Sequence, residues 1–207
     1  MGYKNFCLKY NALDDGLYNA LKKSFPNELL TTQVRSHADH YVTDVSALPP
    51  PWQTLMRDFL MNENFWRYWL VMMGLEAKYK FKKDYLEGIR SFGEFKEEPF
   101  LYTRVDIGVG LKGYGKVNGG MGVHIDNPQR IISGLLYFCD QDDMNGGEFD
   151  ICNKDGSLYQ RINIRENLMI LSEQNNEAWH KVNPLISGER RYVYFALSSS
   201  VPWRKEL

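Results

Sequence analysis

Residues 187–198 read "SGERRYVYFALS", a turn-like Ser-Gly followed by an alternating run, and the period of that run decides the fold of the C-terminal half. With side chains leaving a strand alternately, Arg190, Tyr192, Tyr194 and Ala196 share one face, and Arg191, Val193, Phe195 and Leu197 share the other. The first face is polar and aromatic, the second mostly apolar. If Arg190 points into a barrel interior it needs an anionic partner, because a buried unpaired charge is costly. A carboxylate that accepts both arms of the guanidinium fits best. The competing reading makes Arg190 a surface arginine in a hairpin.

Working outward, the same period recurs. Leu101–Val109, Ile131–Cys139, Glu148–Cys152, Gln160–Ile164, Leu168–Leu171, Lys181–Pro184 and Arg190–Leu197 read as strands, punctuated by turn signals such as "NKDG" and "ISGE". So many short strands at close spacing predict an antiparallel barrel or jelly roll. The N-terminal part has a helical period instead. Leu13, Leu17, Ala20 and Leu21 predict a helix over 13–25, ended by "FPNE". After the breaker "ALPPPWQTL", Trp52, Leu55, Phe59 and Leu60, then Phe65, Trp69, Met72 and Met73, predict two helices whose stripe packs against a sheet. The expected class is α+β: a single domain over 1–207, with 1–98 mainly helical support and first strands and 99–201 the β core.

Composition sets bounds on function. The chain has 207 residues, 43% hydrophobic and 25% charged, with 25 basic and 26 acidic residues. The net charge of -1 supplies no bulk field for a polyanion, which argues against a nucleic-acid partner. Cys7, Cys139 and Cys152 are odd in number and show no CxxC spacing, so neither a disulfide framework nor a thiolate zinc site is expected, and a cytoplasmic setting fits. "FWRYWLVMMGL" is too short and interrupted to span a bilayer, so no membrane partner is expected.

Four histidines are present: His37, His40, His124 and His180. In "GVHIDNP" (122–128), His124 and Asp126 are two apart, so on a strand both side chains leave the same face while Ile125 points away. His180, at the head of the predicted strand "HKVNP", is the natural third ligand. Two imidazoles and one carboxylate on one side of an ion leave open positions opposite, the arrangement of non-haem iron(II) oxygen chemistry. A second HxD, His37 to Asp39 in "HADH", precedes the sheet region without a strand pattern and reads as a surface or loop segment.

"HID", a distal histidine, and an arginine ten residues beyond it in "HKVNPLISGER" together resemble the 2-oxoglutarate- and iron(II)-dependent oxygenases, in particular their prolyl 4-hydroxylase-like branch. The likeness covers roughly 101–201. It implies a double-stranded β-helix core, with His124, Asp126 and His180 as metal ligands and Arg190 holding the far carboxylate of 2-oxoglutarate. Arg191 competes for that role if the register slips by one. "HIDNPQRIISGLLYF" places Tyr137 where relatives have a tyrosine on the same carboxylate, and Leu135 on the same face of that strand. Tyr114 falls where the family often has another cosubstrate tyrosine, "NGGEFDI" (145–151) resembles its Gly-Gly-Glu element, and Arg130 falls where relatives can carry a substrate-contacting arginine.

The resemblance implies Fe(II), 2-oxoglutarate and O2 as reaction partners, with ascorbate as a supporting reductant, and release of succinate and CO2. Halogenating relatives replace the carboxylate ligand, so Asp126 favours hydroxylation. Nucleic-acid demethylases of the superfamily usually carry two separated arginines on the last core strand; "RRYVYFAL" does not. The substrate stays open among peptidyl proline, an amino acid and another small metabolite. The Gly-rich "DIGVGLKGYGKVNGGMG" (106–122) has the composition of a mobile lid. A noncatalytic jelly-roll module that binds a metal or ligand as a sensor is the alternative, since fold alone does not establish turnover.

Overall fold

The structure, a computed structural model, describes residues 2–3, 5–32, 40–42, 47–75, 80–81, 100–111 and 120–204. Phe6–Lys9 forms β1. Three helices follow: α1 (Asp15–Lys23), α2 (Pro50–Leu55), which runs on as a π turn over Met56–Leu60, and α3 (Glu63–Met72). The remaining main strands are β2 (Phe100–Leu111), β3 (Met121–His124), β4 (Arg130–Tyr137), β5 (Phe149–Cys152), β6 (Leu158–Ile162), β7 (Met169–Glu173), β8 (His180–Val182) and β9 (Glu189–Ser199). The architecture is α+β, as expected.

Two mainly antiparallel sheets make up the β core, the larger also carrying the short strands Gly2–Tyr3, beside β1, and Lys80–Phe81, which pairs parallel with β2. In the larger, the order runs β1, β7, β4, β9, β2, then the short strands His40–Val42 and Leu30–Thr32; in the smaller it runs β6, β5, β8, β3. β9 is the central strand of the large sheet. Its register sets Tyr192 opposite Gly108 and Tyr137, and Tyr194 opposite Asp106 and Leu135. The apolar face of β9 (Val193, Phe195, Leu197) joins Leu21, Trp52, Leu55, Trp66 and Leu70 in a core between helices and sheet. A second core, with Phe6, Tyr137 and Ile170 from the large sheet and Phe149, Ile151 and Ile162 from the small one, lies between the two sheets.

The helices begin and end for local reasons. Asp14 accepts a hydrogen bond from the Leu17 amide and Lys22 and Lys23 sit in the last turn, so α1 is shorter at both ends than the apolar spacing suggested. Pro49, Pro50 and Pro51 set φ for the first turn of α2, where the missing N–H costs nothing. The stripe of α3 keeps Phe65, Trp69 and Met73 of the expected one and adds Trp66 and Leu70, while Met72 turns out to 61% exposure. Phe59, in the π turn where the 3.6-residue period fails, is likewise at the surface.

The N-terminal segment also carries a strand that the pattern did not single out, β1, which pairs with β7 although it has only four residues of pattern. Two further expectations are corrected. His40 opens a strand that pairs with β2 and is not part of a loop; His37 and Asp39 lie outside the described residues. β3 ends at His124, so Asp126 is not on the strand.

Gly134 on β4 leaves no room for a side chain, because an added Cβ would fall on the Phe195 ring. Gly134→Ala is expected to cost about 1–3 kcal/mol in denaturant unfolding. In a Phe195→Leu background, which removes the ring atoms in the way, the additional cost of Gly134→Ala should fall by more than half; equal costs in both backgrounds would refute the contact.

Candidate metal centre and cavity

β8 pairs with β3 so that His180 lies opposite His124, with ring centroids 4.3 Å apart. Asp126 is two residues past His124, where the chain has left the ladder. The ligand atoms of His124, Asp126 and His180 all lie within 4.8 Å of one another, the one such cluster among the described residues. His124 Nδ1 is 2.7 Å from the Gly122 carbonyl and His180 Nδ1 is 2.8 Å from the Ala178 carbonyl. A carbonyl oxygen only accepts, so both Nδ1 atoms carry the proton and both Nε2 lone pairs are left for a ligand. His180 is also clamped by rings, stacked on Phe149 at 5.3 Å and edge-on to Phe6.

Asp126 is held from three directions. Ser133 Oγ donates to its Oδ2 at 2.5 Å, which leaves Oδ1 facing His124 Nε2 at 3.7 Å. Its amide donates to Gln174 Oε1 at 3.3 Å. Arg204, from the segment after β9, donates to the Asp126 carbonyl and, at 3.1 Å, to the Gln174 carbonyl. The same segment caps the turn by hydrogen bonds from the Trp203 and Arg204 amides to the Pro128 carbonyl. Two imidazole nitrogens and one carboxylate oxygen, each oriented through its other polar atom, fit a non-haem iron(II) ion with open positions opposite.

The electrostatics agree with such a donor set. Burial opposes charge on Asp126, but His124, His180, Ser133 and Arg130 outweigh it and hold the carboxyl well below the usual range. Burial also opposes charge on His124; there the Asp126 carboxylate and the Gly122 carbonyl prevail and raise it above 6.5. At His180 burial dominates and lowers it below 6.5.

The triad lies on the wall of a cavity of about 310 Å3 between the sheets. Arg190 lines it, 5% exposed, with its guanidinium 5.4 Å from the Tyr192 ring centroid. Arg191 leaves on the opposite face, pairs with Glu189 at 3.0 Å and lies over Phe25. Tyr137 and Leu135 line the same cavity, and the Tyr137 hydroxyl is fully buried without a hydrogen-bond partner among the described residues. Burial raises its pKa, so it stays a neutral donor. Arg130 also lines the cavity and donates to Ser198 Oγ at 2.7 Å. Tyr114 lies outside the described residues. Sequence reading missed Arg104, Asp106, Gln174 and Arg204: the first two share the inward face of β2, while nothing in the local pattern around the last two marks them.

Residues 109–196 match the family described as the 2OG-Fe(II) oxygenase superfamily. The match spans less than half of the chain. It includes His124, Asp126, His180 and Arg190. Solved structures of similar fold include a Pseudomonas putida prolyl-4-hydroxylase, at 15% identity and TM-score 0.60 over 94% of this chain and 92% of that one. The viral collagen prolyl hydroxylase of Paramecium Bursaria Chlorella virus-1 aligns at 13% identity and TM-score 0.56, over 95% and 97%. HygX from Streptomyces hygroscopicus, solved with nickel, 2-oxoglutarate and hygromycin B, aligns at 11% identity and TM-score 0.56, over 94% and 82%. At these identities the likeness is one of fold. No curated protein matches the sequence. For an oxygenase-superfamily site the named cofactors are iron(II) and 2-oxoglutarate, and the His-Asp-His cluster is the candidate facial triad. No helix among the described residues is long and apolar enough to cross a membrane.

Metal binding must displace protons, and only one of the two imidazoles, His124, holds its proton above 6.5. As pH falls through that raised value, Mn(II) affinity of the metal-free protein should drop by about tenfold per pH unit, one proton released per ion. A two-proton dependence above pH 6.5 would show that His180 is charged as well. Arg204→Ala should weaken Mn(II) binding by about tenfold with the fold intact by circular dichroism.

Proposed function

We propose that the protein is an Fe(II)/2-oxoglutarate-dependent dioxygenase that hydroxylates a C–H bond of a small molecule or peptide. The carrying observation is the convergence, in one cavity, of the His124–Asp126–His180 cluster with the inward-facing Arg190 and the buried Tyr137 hydroxyl. The triad would hold the ion, which when bound supplies redox chemistry toward O2 and two positions for a 2-oxo acid. Arg190 would pair with the far carboxylate of 2-oxoglutarate, and the Tyr137 hydroxyl would donate to the same carboxylate. Leu135, between Ser133 and Tyr137 on the inward face of β4, supports the apolar middle of that pocket.

The overall reaction consumes 2-oxoglutarate, O2 and R–H and yields succinate, CO2 and R–OH. Ser133 and Gln174 keep Asp126 in one orientation through the cycle, and Phe149 and Phe6 shield His180 from water. Ascorbate would serve to keep the iron reduced. The prolyl-hydroxylase branch is a resemblance of motif and fold, and we read the chain over 1–207 as a single domain. The three free cysteines are in keeping with a reducing cytoplasm.

Anaerobic addition of Fe(II) and 2-oxoglutarate should give a weak visible charge-transfer band, and air should then give succinate. A sensor would bind without making succinate. Arg190→Gln should raise the 2-oxoglutarate KM by about 30-fold or more, the loss of a buried charge pair worth at least about 2 kcal/mol. Arg191→Gln, on the outer face, should change it less than about twofold. The reverse order would remove Arg190 from the cosubstrate site.

A further inference from the structure

A second cavity, of about 30 Å3, shares Asp126, His180 and Tyr194 with the large one and adds Ser133, Ser172 and Gln174. Gln174 is only 1% exposed, and its Nε2 is buried without a hydrogen-bond partner among the described residues. The orientation of its carboxamide is fixed. The Asp126 amide can only donate, so the atom it meets at 3.3 Å must be the oxygen, Oε1, and the NH2 group has to face elsewhere. A buried donor is costly unless something accepts from it.

Proton counting sets the direction of the bonds on the other side of this cavity. Asp126, as a carboxylate, only accepts, so the single hydroxyl proton of Ser133 goes to Asp126 Oδ2. Ser133 then offers only lone pairs to Tyr194 Oη, 3.3 Å away, and Tyr194 is the donor in that contact. With its own proton committed, the Tyr194 hydroxyl can take part in a further bond only as acceptor. A donor that lacks an acceptor, Gln174 Nε2, and an acceptor that no other described residue fills, Tyr194 Oη, thus line one small space.

We propose that this space is a binding site for one ordered water, which accepts from Gln174 Nε2, donates to Tyr194 Oη and Ser172 Oγ, and closes a hydrogen-bond circuit that starts and ends on Asp126. Its consequence for a metal rests on the triad reading above. The circuit runs from the Asp126 amide to Gln174 Oε1, from Gln174 Nε2 through the water to Tyr194, on to Ser133, and back to Asp126 Oδ2. About 30 Å3 with three polar partners meets the conditions for a buried water, for which roughly 10–15 Å3 suffices. Ser172 has its own proton on the Glu173 carbonyl at 3.4 Å, so it meets the water as an acceptor. Phe6, Phe149 and Ile170 close the apolar side. Each bond from Gln174 Nε2 onward points toward the carboxylate, and donors in such a chain strengthen one another. Because the circuit holds both the amide and Oδ2 of one residue, it fixes the side-chain torsion of Asp126, which no strand ladder fixes, and leaves Oδ1 for an ion. Gln174 and Tyr194 act here as positioning residues.

The first test is a crystal structure of the metal-free full chain at a resolution that orders buried waters. It should show a water within about 3.2 Å of both Gln174 Nε2 and Tyr194 Oη, and Tyr194→Phe should displace it. The second test is Mn(II) affinity. Tyr194→Phe and Gln174→Met, which keeps the side-chain length without the carboxamide, should each weaken Mn(II) binding by about tenfold with the circular dichroism unchanged. The double variant should bind about as the weaker single one does, because one break already opens the circuit, whereas independent roles would multiply to about a hundredfold loss. The proposal is overturned if the wild-type cavity holds no such water, if either variant binds Mn(II) as the wild type does, or if the two losses multiply. If the wild type itself binds no Mn(II), the metal reading of the triad falls, and the crystal structure alone decides whether the water and its circuit exist.

Discussion

The pairing of β8 with β3 is the constraint on which the candidate site depends. It puts His180 opposite His124 although they are separated by the whole of β4 to β7 in the chain. Side chains on directly opposed residues of an antiparallel pair leave the same face at about 4.5–5.5 Å between Cβ atoms, so one register supplies two imidazoles to one point. A slip of a single residue would send one ring to the other face of the sheet. The pairing is pinned from the far side by β5, where Ile151 lies opposite His180 and Asp150 opposite Lys181. Asp150, fully buried, takes two hydrogen bonds from Arg161 and one from Asn183, which ties β5 to β6 and to the turn after β8. The small sheet is thus fixed in register by a charged network on one face so that its other face can present histidines.

The third member of the cluster follows a different logic. Asp126 is beyond the end of β3, so no ladder fixes it, and its orientation is set by Ser133, Gln174 and Arg204, which come from β4, from the residue just after β7 and from the segment after β9. Irregular backbone beside a site needs partners for its own polar groups. Here the carbonyl and amide of Asp126 are both satisfied by side chains, and the carbonyl of Pro128 by the backbone of Trp203 and Arg204. A carboxylate placed this way can be oriented independently of the sheet, and segments remote in sequence contribute: β1 supplies Phe6 to His180, and the segment after β9 supplies Arg204 to Asp126.

Much of this was legible in the sequence where periodicity is strong and little where it is not. The β9 run alternates over nearly its full length, so the inward face of Arg190, Tyr192 and Tyr194 and the outward face of Arg191 follow from a period of two. The α3 stripe was legible at Phe65, Trp69 and Met73, but two apolar rows overlap there, and only tertiary packing shows that Trp66 and Leu70 are buried and Met72 is not. β1 has four residues and half its pattern, too little to separate it from a tail; its partner β7 supplies what the local sequence lacks. HxD placed His124 and Asp126 together by a strand argument that holds for His124 alone. Asp126 arrives by tertiary hydrogen bonds to Gln174 and Arg204, which leave no trace in local spacing.

The alternation that buries the apolar face of β9 also separates charges along its other face. Arg190 sits at one end of the inward row and Tyr194, with Arg104 and Arg130 against its ring, at the other; Tyr192 and Tyr137 lie between, opposite each other across the sheet. Two cationic regions in one cavity would repel if they were adjacent. The aromatic pair holds them apart, and Asp126 and Asp106 supply the intervening negative charge. The two ends differ in what already surrounds the cation: Arg104 is paired with Asp106, whereas the neutral, buried Tyr137 hydroxyl lines the cavity with Arg190. In the proposed function that difference directs the far carboxylate of the 2-oxo acid to the Arg190 end.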